Sequence, residues 1–149
     1  MPIKSFRGLI INGAIETISL HTNTGTTGYR ITKLEVVGND PRGAGSEGVV
    51  KIYSIPQTAA SDKIDFSDNT LLGCAFYENS SSQSTFGGTS IIFDNMTFNQ
   101  DVYVTATTDE SINYYIEMEQ VKLALDENTV ATLKDIRNIT GPVWANNII

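Results

Sequence analysis

The sequence predicts an all-β protein: an antiparallel, jelly-roll-like β-sandwich of about eight strands, with a short C-terminal helix. Three observations support this class. β-branched residues dominate the apolar set, with 17 Ile and 9 Val against 8 Leu, and such residues favour pleated strands. Short runs alternate between apolar and polar residues, as in strands with one buried face. Turn-forming Gly, Asn and Asp separate these runs at short intervals.

The alternating runs define the strands in order. Six upstream strands are expected at 6–11, 14–22, 29–37, 49–55, 70–77 and 89–94. The two clearest runs, 101–107 and 112–119, flank the polar turn 108–111 and predict a β-hairpin with one buried face. The predicted core residues of this pair are Val102, Val104, Ile112, Tyr114 and Ile116. The apolar phase of the last strand slips near Gln120, which suggests a bulge or a bend.

One stretch near the C-terminal end has a helical period. In 128–138, Val130, Leu133 and Ile136 recur every three residues, and the acidic pair 126–127 precedes them. The breaker 141–142, Gly-Pro, would end such a helix. A helix this short is marginal alone, so we expect it to dock on another surface.

Length and charge restrict the function. The 149 residues suit a single domain spanning 1–149. The net charge of −7 argues against nucleic-acid binding, which requires Lys and Arg to neutralise phosphates. One Cys and one His exclude a disulfide framework and a multi-Cys/His zinc site. No apolar run reaches the length of a membrane span or a signal-peptide core, so we expect neither membrane association nor secretion.

Two motifs could carry nucleotide or nucleophile chemistry. The run 43–48 reads GAGSEG and matches GxGxxG, but strand-like residues follow it where a dinucleotide site needs a helix. Cys74 and His21 could pair as nucleophile and base, although Cys74 lies in a strand that reads as buried. We therefore expect an inter-strand loop and a buried thiol.

Acidic residues offer the remaining candidates for chemistry. Asp62, Asp65 and Asp68 could bind Ca²⁺ but lack the EF-hand pattern, and a solvated loop is the default. Glu117 and Glu119 share one strand face, yet no apolar pocket singles out an acid. We predict no catalytic residue, no metal, no cofactor and no enzymatic activity.

Exposed aromatic residues and apolar chain ends are the candidate contact points. Tyr103 and Tyr115 are expected on the outer faces of adjacent strands, where they could stack on sugars, anchor a protein interface or lie under the C-terminal helix. Segments 1–11 and 142–149 are unusually apolar for chain ends, which suggests docking on a partner; the alternative is packing on their own domain. The candidate interface residues are Lys4, Phe6, Arg7, Tyr103, Tyr115, Trp144, Ile148 and Ile149.

Three stretches carry a resemblance to a known class of proteins. Residues 98–106 (FNQDVYVTA), 112–119 (INYYIEME) and 129–138 (TVATLKDIRN) resemble small virion proteins of marine tailed bacteriophages. Those are compact β-sandwich proteins, some of which decorate or cement the capsid. The resemblance implies a homo-oligomeric structural protein on the capsid surface, made in the host cytoplasm, with the major capsid protein and copies of itself as partners. It brings no catalytic residue.

A second function class is kept beside the first. Tyr side chains on a sheet face can stack on sugar rings, so the alternative is a glycan-binding β-sandwich module, such as a tail- or fibre-associated adhesin that binds surface glycans.

Overall fold

A computed structural model describes residues 2–20, 26–43, 45–80, 85–93 and 97–123. These residues form eight strands: β1 (Ile3–Ile10), β2 (Ile15–Ile18), β3 (Thr27–Gly38), β4 (Ser46–Tyr53), β5 (Leu71–Ser80), β6 (Thr85–Ile92), β7 (Val102–Thr108) and β8 (Ile112–Lys122). Each predicted strand overlaps one of them, which confirms the all-β class and the strand count. The helix expected at 128–138 lies outside the described residues. Within the described part of the chain, no helix is long and apolar enough to cross a membrane.

The strands form two antiparallel sheets that pack as a sandwich. One sheet has three strands in the order β1-β8-β3, and the other has five in the order β2-β7-β4-β5-β6. In a jelly roll, strands 1, 8, 3 and 6 share one sheet and strands 2, 7, 4 and 5 share the other. Here β6 instead stays beside β5. The arrangement is therefore jelly-roll-like, with the position next to β3 left without a full strand among the described residues.

The predicted hairpin between the last two strands was wrong. β7 pairs with β2 and β4, whereas β8 pairs with β1 and β3, so residues 109–111 cross from one sheet to the other. The alternation of apolar residues reports which face of a strand is buried, and it does not report which strand lies beside it.

The face assignment of these two strands was correct. All five predicted core residues are buried and belong to one cluster between the sheets: Val102, Val104, Ile112, Tyr114 and Ile116. The Tyr114 hydroxyl donates to Glu16 Oε1 at 2.9 Å. Burial is the main cause that raises the pKa of Tyr114, and the Glu16 carboxylate raises it further.

Polar residues hold the crossing between the sheets. Asp109 Oδ2 accepts a hydrogen bond from the backbone N–H of Glu47 at 3.1 Å. Glu110 accepts one from the N–H of Asp40 at 3.0 Å through Oε2, and one from Ser46 Oγ at 2.9 Å through Oε1. The segment predicted as a polar turn is thus hydrogen-bonded to the start of β4 and to the connection between β3 and β4.

The expected bulge near Gln120 is not there. β8 pairs regularly through Gln120, and the irregularity lies on its neighbour β3, between Ile31 and Lys33. Gln120 donates from Nε2 to the Tyr29 hydroxyl at 3.5 Å. The alternation of apolar residues is therefore interrupted at Gln120, where its amide meets the Tyr29 hydroxyl at the end of the core. The strand itself continues to Lys122.

The outer face of the five-stranded sheet is covered around Lys51. Lys51 lies on that face, since its neighbours Val50 and Ile52 point into the core, yet it is only 2% exposed. Its ammonium donates to the carbonyl oxygen of Lys63 at 2.5 Å and lies 5.5 Å from the centre of the Tyr53 ring. Because Lys63 belongs to the long connection 54–70, this connection packs over the sheet.

Candidate interaction surface

The outer face of the three-stranded sheet is open along two rows of residues. Cross-strand register places Arg7, Tyr115 and Glu35 in one row. Leu9, Asn113 and Val37 form the next row. We call these two rows, six residues in all, the open face. Leu9 is 49% exposed and Val37 is 45% exposed, so large aliphatic side chains lie in solvent on a regular sheet.

The open face contains a shallow groove of about 500 Å³. Its lining consists of Arg7, Gly8, Leu9, Glu35, Val37, Asn113, Tyr114 and Tyr115. The arrangement combines an aliphatic end with a cation, an anion and an aromatic ring. Such a mixture suits a protein contact, in which apolar area supplies affinity and flanking charges supply orientation.

Tyr115 is held in place by its own strand. Its hydroxyl donates to Glu117 Oε2 at 2.7 Å. That hydrogen bond is the first cause that raises the pKa of Tyr115. The hydrogen bond restrains the ring, which lies beside Arg7 and Glu35 in its row.

The structure separates the two predicted tyrosines. Tyr103 lies on the outer face of the five-stranded sheet, where register places it between Thr17 on β2 and Tyr53 on β4. Tyr115 lies on the opposite side of the sandwich, so both tyrosines lie on outer faces as expected, but the expectation that their strands are adjacent was wrong. The cause is the same crossing of 109–111 that moves β8 into the other sheet.

The predicted residues of the first strand also divide between two sides. Arg7 is exposed on the open face, whereas Phe6 packs against the core cluster. Lys4 lies on the Phe6 side, with its ammonium 5.9 Å from the centre of the Tyr29 ring. Trp144, Ile148 and Ile149 lie outside the described residues. Among the predicted contact residues that the structure describes, the open face brings together Arg7 and Tyr115.

The structure places the motif GAGSEG and Cys74 in surroundings that do not suit the chemistry considered for them. β4 begins at Ser46, inside the motif, so a strand stands where a dinucleotide site would need a helix. Cys74 is buried on β5, directly opposite Lys51. Burial raises the pKa of its thiol and outweighs the lowering by the Lys51 charge. His21 lies outside the described residues.

The aspartates of the connection 54–70 make local turns. Asp65 Oδ1 accepts from the N–H of Ser67 at 2.9 Å and from its hydroxyl at 2.6 Å. Asp68 Oδ1 holds Thr70 in the same way, at 2.9 Å and 2.6 Å. The hydrogen bonds from Ser67 lower the pKa of Asp65. Within the described ranges, no group of three His, Cys, Asp or Glu side chains could hold a metal ion.

Comparison with known proteins adds no functional label. No protein-family model matches the chain, and no curated protein is significantly similar to it in sequence. The functional argument therefore depends on the surface itself.

Sequence reasoning named Arg7 and Tyr115 of the open face, covered Leu9 only through the docking segment 1–11, and missed Glu35, Val37 and Asn113. Leu9 and Val37 had a detectable signal, since each is an apolar residue directly next to an apolar residue that faces the core, Ile10 and Val36 respectively. Glu35 and Asn113 had none, because a polar residue on an outer strand face is ordinary. Glu35 and Asn113 belong to the candidate surface only because the strand register places them beside Leu9 and Val37.

Proposed function

We propose that the protein is a structural component of a tailed-bacteriophage virion, a decoration or cement protein that binds the capsid surface. The open face is the observation that supports this proposal most directly. It offers exposed Leu9 and Val37 beside the charges of Arg7 and Glu35, on a sheet whose other side is a buried core. The partners are the major capsid protein and further copies of the same chain, on a virion assembled in the host cytoplasm.

The physical basis is burial of apolar area on a rigid platform. Transfer of two half-exposed aliphatic side chains out of water contributes about 2 kcal/mol. A stable interface requires roughly 800 Å² on each partner, so the contact must extend beyond Leu9 and Val37 over neighbouring strands. Because the strands are ordered before binding, little conformational entropy is lost when the shell is bound.

Binding to assembled shells tests the proposal. The probe is a capsid assembled from the major capsid protein encoded in the same genome. Wild-type protein is expected to co-sediment with it, and a variant with Leu9→Asp and Val37→Asp is expected to bind roughly tenfold more weakly or worse. Ile64→Asp is the matched control, because Ile64 is exposed on the connection 54–70 and away from the open face. Equal binding by all three proteins, or none by wild type, would refute the proposal.

A glycan-binding role is the second candidate, and a different observation favours it. Tyr103 and Tyr53 are direct neighbours across β7 and β4 on the outer face of the five-stranded sheet, and both are partly exposed. Two adjacent aromatic rings can stack on consecutive sugar units. On a glycan array, retention by wild type that is lost in Tyr103→Ala and kept in Tyr115→Ala supports this role. An array with no retained glycan contradicts it.

A further inference from the structure

The open face carries opposite charges at its two edges. In one row, β1 contributes the cation Arg7, β3 contributes the anion Glu35, and the Tyr115 ring lies between them on β8. In the next row, β1 and β3 contribute Leu9 and Val37, both about half exposed. A surface with β1 and β3 in exchanged positions would therefore meet the cation with an anion and each aliphatic group with another.

We propose that the open faces of two copies pack on each other about a two-fold axis that runs along β8. This rotation lays β1 of each copy over β3 of the other. Arg7 then faces Glu35 of the partner subunit, Leu9 faces Val37 of the partner subunit, and each contact occurs twice. The two Tyr115 rings meet at the axis, where aromatic pairs add affinity. Sheets that pack face to face lie about 10 Å apart, a distance that arginine and glutamate side chains can span together.

Charge selects this axis over the alternative. A two-fold axis that runs across the strands would lay β1 over β1 of the partner subunit, and β1 contains no acidic residue. Arg7 would then lose contact with water without gaining an anion, and burial of an unpaired charge is costly. The axis along β8 instead gives both charges of the row a partner of opposite sign.

The connections at this end of the sheet lead away from the open face. β1 continues into β2, β3 continues into β4, and β8 follows β7, and these three neighbours all belong to the other sheet. The last described residue, Leu123, follows the opposite end of β8, roughly 26 Å from Tyr115 along the strand. A second copy can therefore approach the two rows without meeting a described strand of the five-stranded sheet.

The area of the open sheet limits the strength of this dimer. Three strands about 4.8 Å apart, paired over about eight residues, cover roughly 400 Å² of flat sheet. A stable interface buries about 800 Å² on each partner, so the dimer should be weak and reversible. The dimer rests on the role proposed for the open face as a contact surface, and it gives that face an occupant in the free protein. Because the face holds one occupant at a time, a capsid would compete with the second copy for it.

Charge reversal tests the alignment directly. Sedimentation equilibrium of the purified full-length chain at low salt, up to its solubility limit, is expected to show a reversible dimer. Arg7→Glu alone and Glu35→Arg alone each place like charges opposite one another at both symmetric contacts, and each should weaken the dimer by about tenfold. The double variant, Arg7→Glu with Glu35→Arg, restores opposite charges and should return to within about threefold of wild type.

Net charge provides the control. The chain carries a net charge of −7, and Glu35→Arg makes it less negative, so general repulsion between copies would fall and association would strengthen if net charge governed it. Weakening by Glu35→Arg therefore reports the specific contact. Lys122→Glu alters the net charge as much as Arg7→Glu does, but at the far end of β8, and it should leave the dimer unchanged.

Three results would overturn the proposal: a wild-type chain that stays monomeric to its solubility limit, a Glu35→Arg variant that dimerises as tightly as wild type, or a double variant that is not restored. A monomeric wild type whose free energy of unfolding falls in Leu9→Asp would assign the open face to a contact within the chain, and would overturn the proposal as well. The assay contains no capsid, so failure to dimerise and failure to bind the shell are separate outcomes.

Discussion

Removal of the Glu110 side chain should destabilise the protein much more than a turn residue normally would. Glu110 lies in the crossing between β7 and β8 and accepts hydrogen bonds from the Asp40 backbone and the Ser46 hydroxyl. If residues 108–111 formed an ordinary hairpin turn, the carboxylate would extend into water and its removal would cost little. The variant Glu110→Ala therefore tests whether residues 109–111 are bound to the connection between β3 and β4.

The expected magnitude follows from the two contacts. A hydrogen bond to a charged group contributes about 1.5–3 kcal/mol when buried. Glu110 is partly exposed, so water replaces part of each interaction and about 2 kcal/mol in total is a reasonable expectation. Glu110→Gln keeps one carbonyl acceptor and should lose about half of that.

Denaturant unfolding measures the effect. The free energy of unfolding of wild type, Glu110→Ala and Glu110→Gln is compared at an unchanged m-value. Glu78→Ala is the matched control, because Glu78 is an exposed glutamate on β5, and it should change stability by less than about 0.5 kcal/mol. A loss in Glu110→Ala that is no larger than the loss in Glu78→Ala would show that the crossing is not held as described.

Three further outcomes are expected. Ile116→Ala, at a fully buried position, should lower the free energy of unfolding by about 2–5 kcal/mol. Ile3→Ala, at an exposed position, should lower it by less than about 0.5 kcal/mol. Equal losses in the two variants would contradict the face assignment. Ser67→Ala should raise the pKa of Asp65 back towards 3.8, because it removes one of the hydrogen bonds that stabilise the carboxylate. An NMR titration in which the pKa of Asp65 is the same in both proteins would contradict the role of Ser67. Since Asp65 has a lowered pKa when folded, its stabilising contribution is present above the unfolded pKa and lost as pH falls through the folded one. Cys74 should react with a thiol reagent at neutral pH only as fast as the protein unfolds, because its thiol is buried and its pKa is raised.

The strands and their buried faces could be predicted, and their neighbours could not. Period-2 alternation correctly placed Val104 and Ile116 in one core, because the buried face of a strand can be recognised from its own alternating residues. Whether 109–111 turns back or crosses depends on hydrogen bonds to Asp40 and Ser46, which lie more than 60 residues away in the chain. The residues around 109–111 give no indication that Asp40 and Ser46 are their hydrogen-bond partners.

Part of the candidate interaction surface could not be predicted from the sequence either. Arg7 and Tyr115 were selected as single residues, but they become neighbours only through the pairing of β1 with β8. The burial of Lys51 could not be predicted either. A lysine within a strand reads as solvent-exposed, and its burial results from the connection 54–70, a stretch whose polar sequence gave no sign that it packs over a sheet.

The three-stranded sheet has a consequence for the order of events during folding. Its strands are paired across almost the whole chain, since Ile3 lies opposite Glu119 and Thr27 lies opposite Lys122. Closing loops of this length is slow, which favours folding on the millisecond-to-second scale. During synthesis, β1 and β3 must wait for β8 to emerge before the open face can form. A nascent chain therefore cannot form the open face until β8 has been synthesised, when nearly all strands of the sandwich are present.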